Sequence, residues 1–305
     1  MAIFGKFTQE GKRKRASELD ERAHQLEEEG RHAEATDLYR RACNIDPTWP
    51  VPFYNLGLLH KYRGEWAASL EANLRATELD ASDQAAWWNL GIAATALGRW
   101  DIARKAWRGA GLDVPDGDGP IDFPCGQTPV RLDPNGEPEV VWCERLDPVR
   151  ARIANIPLGE FCFGDVVLHD GAAVGYRKLG ERDHPVFNLL ELLEPSPFST
   201  FSASVILGDG GETEIEQLCR LADERGLAAE DWTSSAYLLC KACSEGLPHE
   251  QHEHTRLPRP PKEPHSVALA ARSHTEAEAL LRAWHAQTPG VEVSDLEIEF
   301  SRSIC

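Results

Sequence analysis

Apolar and small residues recur with a period of 34 through the first third of the chain, in segments that begin at Ala16, Pro50 and Gln84. Within each period, two stretches show the three-to-four-residue spacing of an amphipathic helix. A glycine separates the two stretches. The pattern predicts six helices, near 17–29, 32–45, 51–63, 66–79, 85–97 and 100–110.

Each period follows the same steric plan, with small residues at positions 8, 15 and 27. These residues are Ala23, Gly30 and Ala42 in the first period, Gly57, Gly64 and Ala76 in the second, and Gly91, Gly98 and Ala110 in the third. Small side chains at positions 8 and 27 let two helices approach closely, and glycine at position 15 permits the tight turn between them. We therefore expect helix–turn–helix units that stack on one another.

This pattern resembles the tetratricopeptide repeat over about residues 16–113. The resemblance implies an all-α solenoid of three repeats, whose members commonly bind peptides or other proteins. The first helix of each repeat lines the concave face in this family. That face implies the partner-binding residues Tyr54, Asn55, Leu58, Lys61, Trp88, Asn89 and Ile92. The alternative is that the protein's own linker or β-rich region fills the groove.

Some members of this family clamp the C-terminal carboxylate of a partner with basic and asparagine side chains. Asn55 fits that set at position 6, but Asp20, His24, Ala85 and Asn89 stand where the other clamp groups would be. The resemblance therefore does not extend to carboxylate capture.

The pattern changes after the repeats. Residues 114–138 are rich in Gly, Pro and Asp, which predicts a linker or an extended strap. Short β-rich runs separated by turn residues follow over 139–198, and they indicate a small, strongly bent sheet or partial barrel. The phrases WCERL, NIPL and FGDVVL in this region are faintly similar to a bacterial domain family of unknown function, and this resemblance implies no functional residues.

Residues 199–305 show a strand–helix–strand pattern twice. The predicted helices lie near 212–225 and 275–287, and a strand is expected near 233–239. In the last strand, apolar residues from Leu296 to Phe300 alternate with glutamates, as in a half-buried strand. The order predicts a ferredoxin-like αβ sandwich, which makes the whole chain an α+β protein.

Composition and charge narrow the classes of function. The chain has 305 residues, eight cysteines and a formal net charge of −18, which disfavours general nucleic-acid binding. Lysines and arginines are concentrated in residues 1–15, which we interpret as a solvated basic tail. We find no apolar stretch that predicts a membrane helix or an export signal, so we expect a cytoplasmic protein with reduced thiols.

A cluster of cysteines and histidines falls in the loop 240–264. The candidate metal ligands are Cys240, Cys243, His249, His252 and His254. A C-x2-C pair followed by histidines can complete a tetrahedral Cys2His2 shell, so a structural zinc ion is one interpretation. A redox C-x-x-C and a pair with no chemistry are the alternatives.

The Gly-rich segment 208–211 lacks the Lys and Ser/Thr of a phosphate-binding loop, and we interpret it as a turn. No catalytic motif appears, so the sequence favours a non-enzymatic adaptor that binds a protein or peptide. Two alternatives stay open: an acidic inhibitor or immunity-type protein that covers a basic partner, and a zinc-dependent enzyme centred on the 240–264 loop.

Overall fold

The computed structural model describes residues 8–122, 125–136, 139–179, 182–235, 237–238, 255–256 and 263–302. The chain divides into two compact units, Met1–Phe123 and Pro124–Cys305. We call the first the repeat unit and the second the barrel–sandwich unit, and each is described by itself.

The repeat unit consists of six helices in three pairs, as the period predicts. They are α1 (Gln9–Glu28), α2 (His32–Ile45), α3 (Pro50–Tyr62), α4 (Trp66–Leu79), α5 (Gln84–Ala96) and α6 (Trp100–Gly109). Each helix packs against the next one along the chain, and α3 also contacts α5. Gly30, Gly64 and Gly98 turn the chain within each pair with φ between 64° and 74°, a conformation that favours glycine. The predicted stack of three helix–turn–helix units is therefore confirmed.

The small residue at position 8 has the steric role that the sequence predicts. A Cβ atom built on Gly91 would lie 2.5 Å from the ring of Trp107, which is fully buried on α6. A Cβ atom built on Gly57, at the same position of the second unit, would lie 2.5 Å from the Asn73 side chain. The two helices of these pairs therefore approach closely at a glycine, where no side chain separates them.

The first helix begins earlier than the sequence predicts. We expected residues 1–15 to form a solvated tail, but α1 starts at Gln9. The Arg13 guanidinium lies 2.6 Å from the carboxylate of Asp46, and it also lies over the Trp49 ring. The Asp46 side chain is solvent-inaccessible. This ion pair lies between distant parts of the sequence, and it fastens the N-terminal turns of α1 to the segment between α2 and α3.

An extended strap follows α6. Val114 and Ile121 are buried, and Arg104 donates hydrogen bonds to the backbone carbonyls of Pro115 and Pro120. The strap contributes apolar side chains and a row of carbonyl acceptors to the end of the repeat unit.

The barrel–sandwich unit starts with a closed five-stranded barrel. Its strands are β1 (Gln127–Leu132), β2 (Glu139–Arg145), β3 (Arg150–Ile153), β4 (Val166–Leu179) and β5 (Arg182–Glu194). Neighbours are antiparallel, except that β1 closes the barrel by pairing with β5 in parallel. Apolar side chains from Val130, Val141, Ile153 and Val167 fill the interior.

The barrel corrects the predicted linker. We assigned residues 114–138 to a linker, yet β1 lies within them and closes the barrel. The run QTPVRL places Val130 and Leu132 in the core. The sequence does not predict this strand because its apolar alternation is short and is flanked by Gly- and Pro-rich segments.

The sandwich contains β6 (Ser199–Ile206), α7 (Glu212–Glu224), β7 (Ala228–Asp231), α8 (Trp232–Ser235), β10 (His265–Ala271), α9 (His274–Gln287), β11 (Glu292–Val293) and β12 (Glu297–Phe300). A separate pair of strands, β8 (Tyr237–Leu238) and β9 (Thr255–Arg256), falls between α8 and β10 in the sequence. The sheet order is β11–β6–β10–β7, with β12 also on β6, and all pairs are antiparallel. This order, together with the two helices, matches a split β-α-β arrangement.

Two details of the predicted sandwich are wrong. The second strand of the sheet is Ala228–Asp231, and the predicted strand near 233–239 is not part of that sheet. Its first residues lie in the short helix α8, where the Asp231 carboxylate accepts a hydrogen bond from the Thr233 amide, and its Tyr237–Leu238 form β8, which pairs with β9. The last strand is broken into β11 and β12, and Ile298 is 59% exposed although the alternation predicted an inward side chain.

The barrel and the sandwich pack together within their unit. Ile156, from the loop after β3, packs against Ala268 and Ala270 on the sheet face away from the helices. Asp165 accepts two hydrogen bonds from Arg302, at 2.6 and 2.8 Å, and its own side chain is fully buried. These contacts connect residues up to 137 positions apart.

Candidate partner-binding surface

The predicted partner-binding residues divide into two groups. Tyr54, Asn55, Leu58 and Trp88 are half-buried, so part of each side chain faces solvent. The other three, Lys61, Asn89 and Ile92, are buried, with 5% or less of their surface exposed. The structure therefore brings only part of the predicted set to the surface.

Packing explains the buried residues. Ile92 is solvent-inaccessible, and seven consecutive residues of α5, from Asn89 to Thr95, are buried. The Lys61 ammonium lies 4.2 Å from the centre of the Tyr62 ring, where a cation–π contact offsets part of its desolvation. The expectation that these first-helix residues line an accessible face is wrong for Lys61, Asn89 and Ile92.

Three accessible apolar side chains of this surface lie on α3. Val51, Tyr54 and Leu58 are spaced by three and four residues, so they share one face of the helix. Val51 is 40% exposed and the other two are half-buried. We call these three residues the α3 strip. Trp88 on the neighbouring α5 is held in place by an edge-to-face contact with Trp107, at 5.2 Å between ring centres.

A row of acidic residues lies beside the strip. The Asn55 amide donates to both carboxylate oxygens of Asp20 on α1, at 3.0 and 3.1 Å. Glu27, two turns further along α1, accepts a hydrogen bond from the Tyr39 hydroxyl. Our site prediction omitted these carboxylates, although Asp20 and Glu27 occupy the same first-helix positions as Tyr54 and Lys61.

Burial raises the pKa of Asp20, and the neighbouring Glu21 acts in the same direction. The hydrogen bond from Asn55 and the nearby His24 oppose that shift. The Asn55 hydrogen bond and the nearby His24 therefore offset only part of the cost of burying the Asp20 charge.

The Gly-rich turn at 208–211 binds a carboxylate of its own chain. The Glu214 side chain accepts hydrogen bonds from the Gly208 and Gly210 amides, at 2.7 and 3.3 Å. These amides are the donors that a phosphate would need. Glu214 thus supplies the physical reason for interpreting the segment as a turn.

The described cysteines are poor nucleophiles. Burial raises the pKa of Cys43 to about 12 and the pKa values of Cys162 and Cys219 to about 11. It also raises the pKa values of Cys125 and Cys143. A thiol with a raised pKa is mostly protonated at neutral pH, and the protonated form is unreactive.

His169 is a core residue. It is fully buried and stacks on Phe187, and burial lowers its pKa to about 4. Its Nδ1 lies 2.7 Å from the carbonyl oxygen of Asp170. The neutral imidazole therefore donates from Nδ1 to that carbonyl.

The predicted zinc ligands lie outside the described residues. Cys240, Cys243, His249, His252 and His254 all fall within 239–254, so the zinc site stays a prediction. In the part of the chain that the structure does describe, His, Cys, Asp and Glu side chains form no group that could hold a metal ion. In the same part, we find no helix with the length and apolarity needed to cross a bilayer.

Comparison with solved structures finds repeat domains similar to the N-terminal helices. The first TPR of Spaghetti (RPAP3), in a structure bound to HSP90 peptide SRMEEVD, is 24% identical over 32% of this chain and 78% of its own, with a TM-score of 0.31. The second TPR of the same protein, with the same peptide, is 22% identical over 33% and 94%, with a TM-score of 0.32. The Sgt2 TPR domain from Aspergillus fumigatus is 23% identical over 31% and 63%, with a TM-score of 0.29. No protein-family model matches this chain, and no curated protein does either.

Proposed function

We propose that the repeat unit binds a segment of another protein, and that the chain acts as a non-enzymatic adaptor. The observation that carries this proposal is the α3 strip. Its three apolar side chains share one helix face and remain partly exposed, next to an aromatic side chain on α5. Apolar side chains at this spacing are what a partner helix or strand packs against.

The proposal is narrower than the sequence-based one. Lys61, Asn89 and Ile92 are buried, so they support the fold rather than contact a partner. The proposed contact residues are therefore Val51, Tyr54, Leu58 and Trp88, with Asn55 at the boundary to α1.

A displayed peptide library selected against the biotinylated full chain tests this function. Enriched peptides are then titrated by fluorescence polarisation against the wild type and against a Tyr54→Ala/Leu58→Ala variant. We expect at least about a tenfold loss of affinity in the variant, because a few buried apolar anchors dominate such interfaces.

Leu97→Ala is the matched control, since Leu97 is an exposed leucine at the end of α5, outside the strip. Val51→Glu is a second test, at the most exposed residue of the strip. A selection that enriches no peptide, or peptides that bind the double variant as tightly as the wild type, would contradict the proposal.

The acidic inhibitor and the zinc-dependent enzyme remain alternatives from the sequence. Metal analysis of the purified chain, repeated with Cys240→Ser/Cys243→Ser, distinguishes the zinc-dependent enzyme from the adaptor. One zinc per wild-type chain that is lost in the variant supports the predicted site, and absence of zinc removes the enzyme alternative.

A further inference from the structure

We infer that the segment bound by the repeat unit is a basic amphipathic peptide, with its apolar side on the α3 strip and its lysines or arginines beside the carboxylates of α1. This inference rests on the proposed function and adds the chemical class of the partner. It is carried by the position and the surroundings of the acidic residues that adjoin the strip.

Four carboxylates share one face of α1. Asp20, Glu21, Glu27 and Glu28 are spaced by one, six and one residues, so they recur two turns apart on the same side of the helix. Glu21 and Glu28 are exposed and Glu27 is half-buried, whereas Asp20, which accepts hydrogen bonds from Asn55, is buried. We call these four residues the α1 acidic face.

Direct contact makes the acidic face and the apolar strip continuous. Asn55 follows Tyr54 on α3 and donates to both oxygens of Asp20 on α1. A peptide that lies along α3 therefore has carboxylates on its flank within the reach of a lysine or arginine side chain. The length and flexibility of these side chains suit such a flanking contact.

The hydrogen bonds that reach the acidic face come from neutral groups. Among the described residues they come from Asn55 to Asp20, from Ser17 to Glu21 and from Tyr39 to Glu27. His24 lies 3.7 Å from Glu28, and both side chains are largely exposed. Arg13, which precedes this face on α1, is paired with Asp46.

Charge complementarity follows from these surroundings. A peptide that ends in a carboxylate, or that carries glutamates, would place like charges against the acidic face, which costs affinity. A cationic side chain there gains electrostatic attraction, and burial of the apolar side against the strip adds the hydrophobic contribution. The two surfaces together select a peptide that is both basic and amphipathic.

Three synthetic peptides of 18 residues test the inference on the full chain. The first has leucines at helical i, i+3, i+4 and i+7 spacing and lysines elsewhere. The second replaces the lysines with glutamates, and the third replaces the leucines with serines. We expect the first peptide to bind at least about tenfold more tightly than either of the others, with an affinity that falls as salt is raised.

A matched pair of variants separates the acidic face from general attraction to an acidic protein. The test variant carries Asp20→Asn, Glu21→Gln, Glu27→Gln and Glu28→Gln. The control changes four exposed acids elsewhere in the repeat unit to amides, namely Asp37, Glu71, Glu78 and Asp101. Both variants gain the same charge, and we expect about a fivefold or larger loss of affinity for the first peptide only in the test variant.

The outcomes distinguish this inference from the proposed function. Equal loss in both charge variants overturns the inference. So does a glutamate or neutral peptide whose binding depends on Tyr54 and Leu58, although that result leaves the proposed function standing. Sedimentation that shows a dimer dissociated by Tyr54→Ala/Leu58→Ala assigns the strip to a second copy and also overturns the inference. A triple variant that retains Asp20 serves if the fourfold one does not fold.

Discussion

The helix pairs of the repeat unit meet through contacts that recur at the same spacing along the chain, whereas the barrel–sandwich unit depends on contacts that are made once between distant segments. Gly91 and Trp107 meet across one helix pair, and the same relation recurs between Gly57 and Asn73. In the other unit, β1 closes the barrel on β5, and Asp165 is bound by Arg302 from the end of the sandwich.

This difference explains what a sequence pattern can reveal. A contact that repeats at fixed spacing leaves a period in the sequence, since each unit must supply the same small and large side chains. A contact made once between distant segments leaves no such mark. The two units should accordingly respond differently to substitutions at their central contacts.

The largest effect is expected from Asp165→Asn. This change should lower the free energy of unfolding by about 3 kcal/mol, because it breaks a buried ion pair and leaves Arg302 without its carboxylate partner. Urea denaturation measures the loss, and hydrogen exchange should quicken in both β4 and β12. Asp295→Asn is the control at an exposed aspartate. Faster exchange in β12 alone would show that the pair does not join the barrel to the sandwich.

Gly91→Ala should destabilise the repeat unit by up to about 2 kcal/mol. Alanine is the better helix former by about 1 kcal/mol, but its Cβ would collide with the Trp107 ring, and overpacking of this kind costs about 1–3 kcal/mol. The loss is measured by urea denaturation.

The same substitution in a Trp107→Leu background provides the control. There the collision is absent, so Gly91→Ala should be neutral or stabilising. Equal effects in the two backgrounds would mean that the two residues are not coupled.

The smallest effect is expected at Asp46. Burial alone would raise its pKa, but hydrogen bonds from Thr48, Arg13 and Gln9 dominate and lower the pKa to about 2. Because the pKa in the folded state lies below the unfolded value, the charged form stabilises the fold above about pH 4. That stabilisation is lost as the pH falls from about 4 towards 2.

Thermal unfolding between pH 6 and pH 2.5 measures this contribution. The difference in stability between the wild type and Asp46→Asn should be about 1 kcal/mol at pH 6 and should shrink on acidification. A difference that stays constant with pH would rule out the carboxylate charge as its source.

The sequence predicts the helices of the repeat unit well because their determinants are local. The predicted helices at 32–45 and 66–79 coincide with α2 and α4. The sequence pattern does not predict the start of α1. The first turns of this helix are held by the ion pair of Arg13 with Asp46, and these two residues are 33 positions apart in the sequence.

The strands were harder to place for the same reason. The segment 233–239 has strand-forming residues, but a helical turn begins beside the Asp231 carboxylate, and Tyr237–Leu238 pair with β9 instead of joining the main sheet. Ile298 alternates correctly with its glutamate neighbours, yet its side of β12 is exposed.

The candidate surface was only partly predictable. Repeat position alone nominated Ile92 together with Tyr54, although α5 is buried along its second half. Position also placed Asp20 and Glu27 on the first helix, but their importance depends on the Asp20–Asn55 contact, which spans 35 residues.

The pairing of Arg13 with Asp46 has a practical consequence for anyone who shortens this gene. A version starting at Ala16, where the recurring pattern begins, would delete Gln9 and Arg13 and leave Asp46 with only Thr48 among the donors described around it. The first residue of a pattern and the first residue of a stable fragment are different things, and expression vectors for this region should start upstream of the helix.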